Sequence, residues 1–161
     1  LLPELGKAIA NNKNAKVIFV ANLSPEYGPA GRMSMEQKLE WCERALQGRK
    51  IDVVLAEKAD LLRDNGIRKG DTFARYGGEE FVVLLPNTNL KQAFEIAERL
   101  RKLVEVHDFI YDGQKLPVAA SIGVADYRQG VNTGTDLFKR ADSAVYKSKE
   151  GGRNQVNFYK E

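Results

Sequence analysis

Cysteine is nearly absent from this sequence: Cys42 is the only one among 161 residues. No internal disulfide and no thiolate metal cluster can form, and a reducing cytoplasm is the expected setting. Histidine is as scarce. His107 stands alone, so a histidine-based metal site or a Ser-His-Asp triad lacks its parts, and His107 reads as a surface or packing residue. Five prolines and fourteen glycines are too few for a collagen-like or low-complexity chain, and 43% apolar with 29% charged residues excludes the disordered class. Long hydrophobic runs are missing too. Val17 to Ala21 and Phe81 to Pro86 fall far short of the ~20 residues that span a bilayer, and Leu1-Leu2-Pro3 carries no charged leader, so no membrane or targeting segment is expected. Neither sign of charge dominates: 25 basic against 22 acidic residues, interspersed, give +3, which does not imply nucleic-acid binding.

What is present fits one α/β domain over 1–161. Leu5, Ala8 and Ile9 space a short helix over Leu2 to Asn12, and Lys16 to Leu23 reads as a buried central strand. After loop-forming Ser24 to Gly31, Ser34 and Gln37 make a capping box for a helix with Leu39, Cys42 and Leu46 on one face. Ile51 to Leu55 has strand composition but runs unbroken into the helical Lys58 to Arg63, which favours helix at least from Glu57 onward. Thr72 to Tyr76 and Glu79 to Leu85 flank Gly77-Gly78, a glycine pair suited to a hairpin turn. Phe81, Val83 and Leu85 face one way and Val82 and Leu84 the other, so this sheet needs cover on both sides.

Asn89 and Gln92 open an amphipathic helix that buries Leu90, Ala93, Phe94, Ala97, Leu100 and Val104. A second hairpin is expected over Ile110 to Tyr127 about Asp112-Gly113. Thr135 is the expected cap of a last helix burying Leu137, Ala141, Ala144, Val145 and Ser148, ended by Gly151-Gly152, with Gln155 to Tyr159 as an edge strand. The order α-β-α-α-β-β-α-β-β-α-β specifies a three-layer α/β sandwich with a central mixed sheet flanked by helices.

Arg75-Tyr76-Gly77-Gly78-Glu79-Glu80-Phe81 places two carboxylates on the lip of the hairpin. Hard divalent cations take oxygen ligands of this kind, and glycines let a nucleotide approach the backbone, so a magnesium–nucleotide site competes with a merely solvated hairpin. This stretch resembles the GGDEF domain, the family of bacterial diguanylate cyclases that condense two GTP into cyclic di-GMP, in its Gly-Gly-Glu-Glu-Phe form. The likeness extends from Ala59 to Lys160 through Arg68-Lys69-Gly70-Asp71, Ala119 to Ala125, Lys139-Arg140-Ala141-Asp142 and Gly151-Gly152-Arg153-Asn154. It implies a nucleotidyl-cyclase-like fold over 58–161. Glu79 and Glu80 then correspond to the catalytic, metal-binding pair, and Gly77, Gly78, Lys149 and Arg153 to substrate-binding positions, the last two holding GTP phosphates. Arg68, Asp71 and Arg99 correspond to an inhibitory product site. Mg²⁺, GTP, cyclic di-GMP and a second GGDEF domain in a homodimer are the implied cofactor and partners.

The first third departs from that family. Its members carry an Asp-x-Asp-x-Phe-Lys-x-x-Asn-Asp run at the end of the first strand, where this chain has Asn22-Leu23-Ser24-Pro25-Glu26-Tyr27. Asn22 is the remaining candidate metal ligand there, a neutral one, and Asp52 the candidate for a further substrate-binding aspartate. Residues 1–57 are instead similar to the phospholactate transferase and gluconeogenesis-factor group, through Leu1-Leu2-Pro3-Glu4, Val17 to Leu23, Ser34 to Leu46 and Lys50 to Leu55. This composition implies either a chimera with an exchanged helix–strand–helix unit or a degenerate GGDEF domain. Turnover is expected to be impaired, and the alternatives are an inactive cyclic di-GMP or GTP-binding module, or a chimera with a structural role only.

Overall fold

In the computed structural model, helices and strands with apolar faces assemble around a strand from the first third of the chain. The structure describes residues 16–21, 50–77, 80–111, 113–116, 118–127 and 133–160. The expected helices over 2–12 and 34–46, the loop over 24–31, and Asn22, Cys42, Gly78 and Glu79 lie outside these. Strand β1 (Lys16–Ala21) is followed by helix α1 (Lys50–Gly66), strands β2 (Thr72–Gly77) and β3 (Glu80–Leu85), and helix α2 (Leu90–Val106). Strands β4 (Phe109–Tyr111), β5 (Gln114–Leu116) and β6 (Ser121–Asp126), helix α3 (Gly134–Glu150) and strand β7 (Val156–Phe158) complete the order.

The main sheet runs β2-β3-β1-β6-β7, antiparallel except for the parallel β6–β7 pair. Strand β1 is its centre, as the unbroken apolar run Val17 to Ala21 requires of a strand covered on both faces. On one face Phe81, Val83, Leu85, Ile122 and Val124 pack with Leu62 of α1 and with Ala93, Ala97, Leu100 and Val104 of α2. On the other, Val82, Leu84 and Ala125 pack with Leu137, Ala141 and Val145 of α3. The three layers expected from the element order are therefore present. Mid-strand Gly123 lets α3 settle onto β6. A Cβ at this position would stand 2.2 Å from the Ala141 carbonyl oxygen and 2.4 Å from the Val145 nitrogen.

Residues 50–56 are helical, extending upstream the helix expected at least from Glu57; the β-branched residues do not outweigh continuity with a helix that packs along α2. Two expectations are corrected. The hairpin over Ile110 to Tyr127 is instead β4–β5, a separate two-stranded sheet, and β6 joins the main sheet. The cap of α3 is Thr133, not Thr135: its side chain accepts from the Asp136 N–H while Asp136 accepts from the Thr133 N–H, a closed capping box. The capping box of Asn89 and Gln92 on α2 forms as expected.

Candidate functional site

The register of the sheet sorts the candidate residues to its two ends. Ala21, the last residue of β1, lies opposite Glu80 at the start of β3 and opposite Ser121 at the start of β6. Val156, the first residue of β7, lies beside Ile122. Glu80 and the turn that precedes β7 therefore share one end of the sheet, separated by three strand spacings or roughly 14 Å. Glu80 is half-buried. Strand β2 extends through Gly77, which pairs with Glu80 across a register shift after Arg75, so the connection between the strands falls one residue later than the expected Gly77-Gly78 turn. The twist of such an irregularity re-aims the side chains beside it.

Lys149 stands half-buried in the last turn of α3, and Arg153 follows in a strained turn. Gly152, Arg153 and Asn154 have φ of 108°, 63° and 45°. Two consecutive non-glycine residues in this region are costly, of order 1–3 kcal/mol each, and persist only where their surroundings fix them. Here the fixing is visible. The Arg153 N–H donates to the Ser148 carbonyl at 2.9 Å and the Gly151 N–H to the Lys147 carbonyl at 2.9 Å. Buried Ser148 in turn donates its hydroxyl to the Ile122 carbonyl at 2.8 Å and accepts from Asn157 Nδ2 at 3.1 Å.

Asp52 lies in the first turn of α1. The buried Lys58, further along that helix, places its ammonium 5.7 Å from the centre of the Phe81 ring, next to Glu80 in sequence. Six residues before Lys58, the backbone of Asp52 stands about 9 Å further along the axis, on the side away from the helix's end at Gly66.

Arg68, Asp71 and Arg99 gather at the opposite end. The chain enters β2 there, where Thr72 pairs with Leu84 near the end of β3. That is about 13 Å from Glu80 along the strand. Both Asp71 carboxylate oxygens accept from Arg68, through its backbone N–H at 3.0 Å, Nε at 3.1 and 3.2 Å and Nη2 at 2.8 Å. Arg68 Nη2 also donates to Thr88 Oγ1 at 2.8 Å. The Asp71 side chain is 0% exposed whereas that of Arg68 is 50% exposed. Asp71 thus holds the arginine, and hydrogen bonding to it pushes the Arg68 pKa above its usual value. Arg99 donates from Nη2 to the Gly66 carbonyl at 2.9 Å, at the C-terminus of α1, where a cation complements the helix dipole.

The sequence reading did not pick out Thr88, Lys58 or Arg101, and it expected Ser148 only as a buried residue of the last helix. Of these, only the step from Arg68 to Thr88 has a local cue, the loop between β3 and the capped start of α2. His107, read as a packing residue, stacks edge-on against Phe109 and contacts Glu57 at 2.6 Å through Nε2. Among the described residues no helix is long and apolar enough to cross a membrane, and none of the described His, Cys, Asp and Glu form a group of three or more able to hold a metal ion. Mg²⁺ is nevertheless compatible with the donor type at this end of the sheet, since it is commonly held by one or two carboxylates and the phosphates of its substrate.

Comparison with known proteins gives the family. The family model for the diguanylate cyclase GGDEF domain matches residues 48–155. Diguanylate cyclase A of Treponema denticola is 46% identical over 109 residues, covering 68% of this chain and 29% of that protein. A putative gluconeogenesis factor of Vibrio cholerae is 89% identical over 55 residues, 34% of this chain and 19% of its own length. The chain thus spans less than a third of either relative. The solved structure of the active GGEEF domain of a diguanylate cyclase from Vibrio cholerae superposes with a TM-score of 0.74 at 24% identity, covering 99% of this chain and 94% of that one. The Gly-Gly hairpin at one end of a five-stranded sheet, the arginine–aspartate pair at the other, and a family match spanning residues 48–155 make this chain a member of the GGDEF diguanylate cyclase family.

Proposed function

We propose that residues 1–161 act as one GGDEF-like domain that binds GTP at the Glu80 end of the sheet and cyclic di-GMP at the Arg68 end, with turnover to cyclic di-GMP impaired. The observation that carries this is the sharing of one sheet end by Glu80 and the Lys149–Arg153 turn, with Arg68 held by Asp71 at the other. Lys149 offers a point charge and Arg153 a planar fork, a pairing suited to a polyphosphate. Gly77 and Gly78 leave room for the nucleotide. Glu79 and Glu80, with Asn22 as a third and neutral donor, would hold Mg²⁺, and Asp52 lies toward the same end as a further substrate contact. When bound, the metal ion would offset charge on the phosphates and favour ionisation of the attacking hydroxyl.

In the family reaction the 3′-hydroxyl of one GTP attacks the α-phosphorus of another. A P–O bond forms, pyrophosphate leaves, and repetition with the roles exchanged closes the ring. The two nucleotides come from two domains, so a homodimer is the active form, and a bacterial cytoplasm supplies the GTP. Impairment follows from Asn22, since an amide oxygen binds Mg²⁺ more weakly than a carboxylate. An exchanged N-terminal unit accounts for that substitution and is supported by the 89% identity of one segment to a gluconeogenesis factor. A binding module without turnover is the second reading. It is favoured by the product-site arginine, which the Asp71 carboxylate and Thr88 already orient.

The test is pyrophosphate release from GTP and Mg²⁺, paired with calorimetric titration of the same sample with GTP and with cyclic di-GMP. The expected outcome is binding of both ligands with turnover below ~1 per second, the lower edge of ordinary enzymes. Faster turnover refutes the impairment, and failure to bind either ligand refutes the assignment of both ends.

A further inference from the structure

We propose that Arg101, Glu105 and Asn154 form a clamp that positions Arg153 for the GTP phosphates, an inference that rests on the substrate reading above. Arg101 and Glu105 lie one turn apart on α2, 53 and 49 positions before the Asn154 that they touch. Arg101 Nη1 donates to Glu105 Oε2 at 3.0 Å and to Asn154 Oδ1 at 3.0 Å, and Asn154 Nδ2 donates to Glu105 Oε1 at 2.6 Å. Arg101 Nε donates to Glu98 Oε2 at 3.1 Å, which fixes the plane of the guanidinium. The three groups close a triangle in which the Asn154 amide is satisfied on both sides by opposite charges. Its carbonyl faces a cation and its NH₂ an anion, so no other orientation of the amide serves. The Arg101 side chain is 11% exposed, which shields its contact with Asn154 better than an open surface pair, whereas Glu105 is 42% exposed.

The triangle matters because of what it flanks. Arg153 is left-handed at φ 63°, a conformation that its own side chain does not favour, and Asn154 after it is left-handed at 45°. The Arg153 N–H is tied to α3 through the Ser148 carbonyl. The residue after it is tied to α2 through the clamp. Arg153 is thereby bracketed between two helices, and the direction in which its side chain leaves the turn is set by both. Lys149 sits on α3 itself and needs no such device. A site built from a helix residue and a turn residue needs the turn immobilised to comparable precision, because small misplacement of a binding group is expensive in affinity and rate. Arg101, Glu105 and Asn154 are accordingly positioning residues and need not touch the nucleotide.

Asn154→Gly tests the idea, since glycine accepts the left-handed backbone and removes only the clamp. Arg101→Lys is the second variant, keeping the charge and losing the fork that reaches Glu98, Glu105 and Asn154. Calorimetry of the full chain with GTP and Mg²⁺ should show affinity weakened about tenfold in each, with cyclic di-GMP affinity at the far end of the sheet unchanged. The decisive step is a double-mutant cycle. In an Arg153→Ala background, Asn154→Gly should have no further effect on GTP. An undiminished effect there, equal affinity in parent and clamp variants, or parallel loss of both ligands overturns the clamp while leaving the phosphate role of Arg153 standing. A parent chain that binds no GTP refutes that phosphate role itself, and the positioning claim with it.

Discussion

Gly123→Ala asks the most of the fold for the smallest change in composition. The added methyl would stand 2.2 Å from the Ala141 carbonyl oxygen, 2.4 Å from the Val145 nitrogen and 2.9 Å from Val145 Cγ2. The first two atoms belong to the backbone of α3, so no side-chain rotation relieves the contact and the helix itself must retreat by about 1 Å to restore an ordinary separation. Overpacking of this kind costs ~1–3 kcal/mol, and a backbone clash belongs at the upper end of that range, against ~5–15 kcal/mol for a whole domain. With a urea slope of about 2 kcal/mol/M, a loss of ~3 kcal/mol lowers the unfolding midpoint by about 1.5 M without altering the slope. Gly70→Ala is the control, because a Cβ there meets nothing within 4 Å. It should be neutral or stabilising by ~0.4–1 kcal/mol through the unfolded state. The retreat of α3 also carries Lys149 with it, so GTP affinity should fall in Gly123→Ala and not in Gly70→Ala. Equal midpoints for the two variants would refute the reasoning.

Arg68→Ala removes a charge-assisted contact worth roughly 1.5–3 kcal/mol, and cyclic di-GMP affinity in calorimetry should drop about ten- to a hundredfold; an unchanged value removes this end of the sheet from the account. Glu80→Gln should abolish whatever pyrophosphate release the parent shows, and survival of activity in a variant lacking both Glu79 and Glu80 would move the site elsewhere. The hydrogen bond from Asn154, and after it the Arg101 guanidinium, hold the Glu105 carboxyl below the usual glutamate range. The unfolded chain therefore takes up the proton first as pH falls; the contribution is complete above the ordinary glutamate pKa of about 4.3 and is lost as pH drops through the lower folded value. Glu105→Gln should flatten this acid limb in urea titrations between about pH 5 and 3, and a limb as steep as the parent's would count against it. Deleting residues 1–21 removes the partner of both β3 and β6, and the product should be unfolded by circular dichroism; a folded monomer would show that β1 is dispensable.

How much of this was legible in the sequence depends on the range of the interaction. Local signals were enough for the Gly-Gly hairpin, for the Asn89–Gln92 cap, and for the buried face of α3, where Leu137, Ala141, Ala144, Val145 and Ser148 are the residues the structure buries. On α2 the spacing omitted Ile96, which is buried, and included Leu90 and Phe94, which are half-buried. Thr133 and Thr135 compete for one cap, and only the aspartate three residues after Thr133 decides between them. Lys58, fully buried beside Phe81, defies the usual placement of lysine, and no periodicity marks it. The contact of Arg101 with Asn154 crosses 53 positions and leaves no trace in either neighbourhood. The two halves of the candidate site could be named from their motifs, but their assignment to opposite ends of one sheet needed the strand register.

Strand β1 lies outside residues 48–155, where the family match resides, yet every other part of the main sheet is arranged about it. What its neighbours require from it is a row of main-chain donors and acceptors with apolar side chains on both faces, and many sequences meet that requirement. The middle of the sheet therefore behaves as a socket, indifferent to the origin of the strand that fills it. On the proposed reading, chemistry would make a stricter demand just after that strand in sequence, where Asn22 in place of an aspartate would weaken a metal site. Were the proposed exchange of the N-terminal unit correct, architecture and activity would be selected by different residues, and a central strand could be replaced without loss of shape whether or not turnover survived.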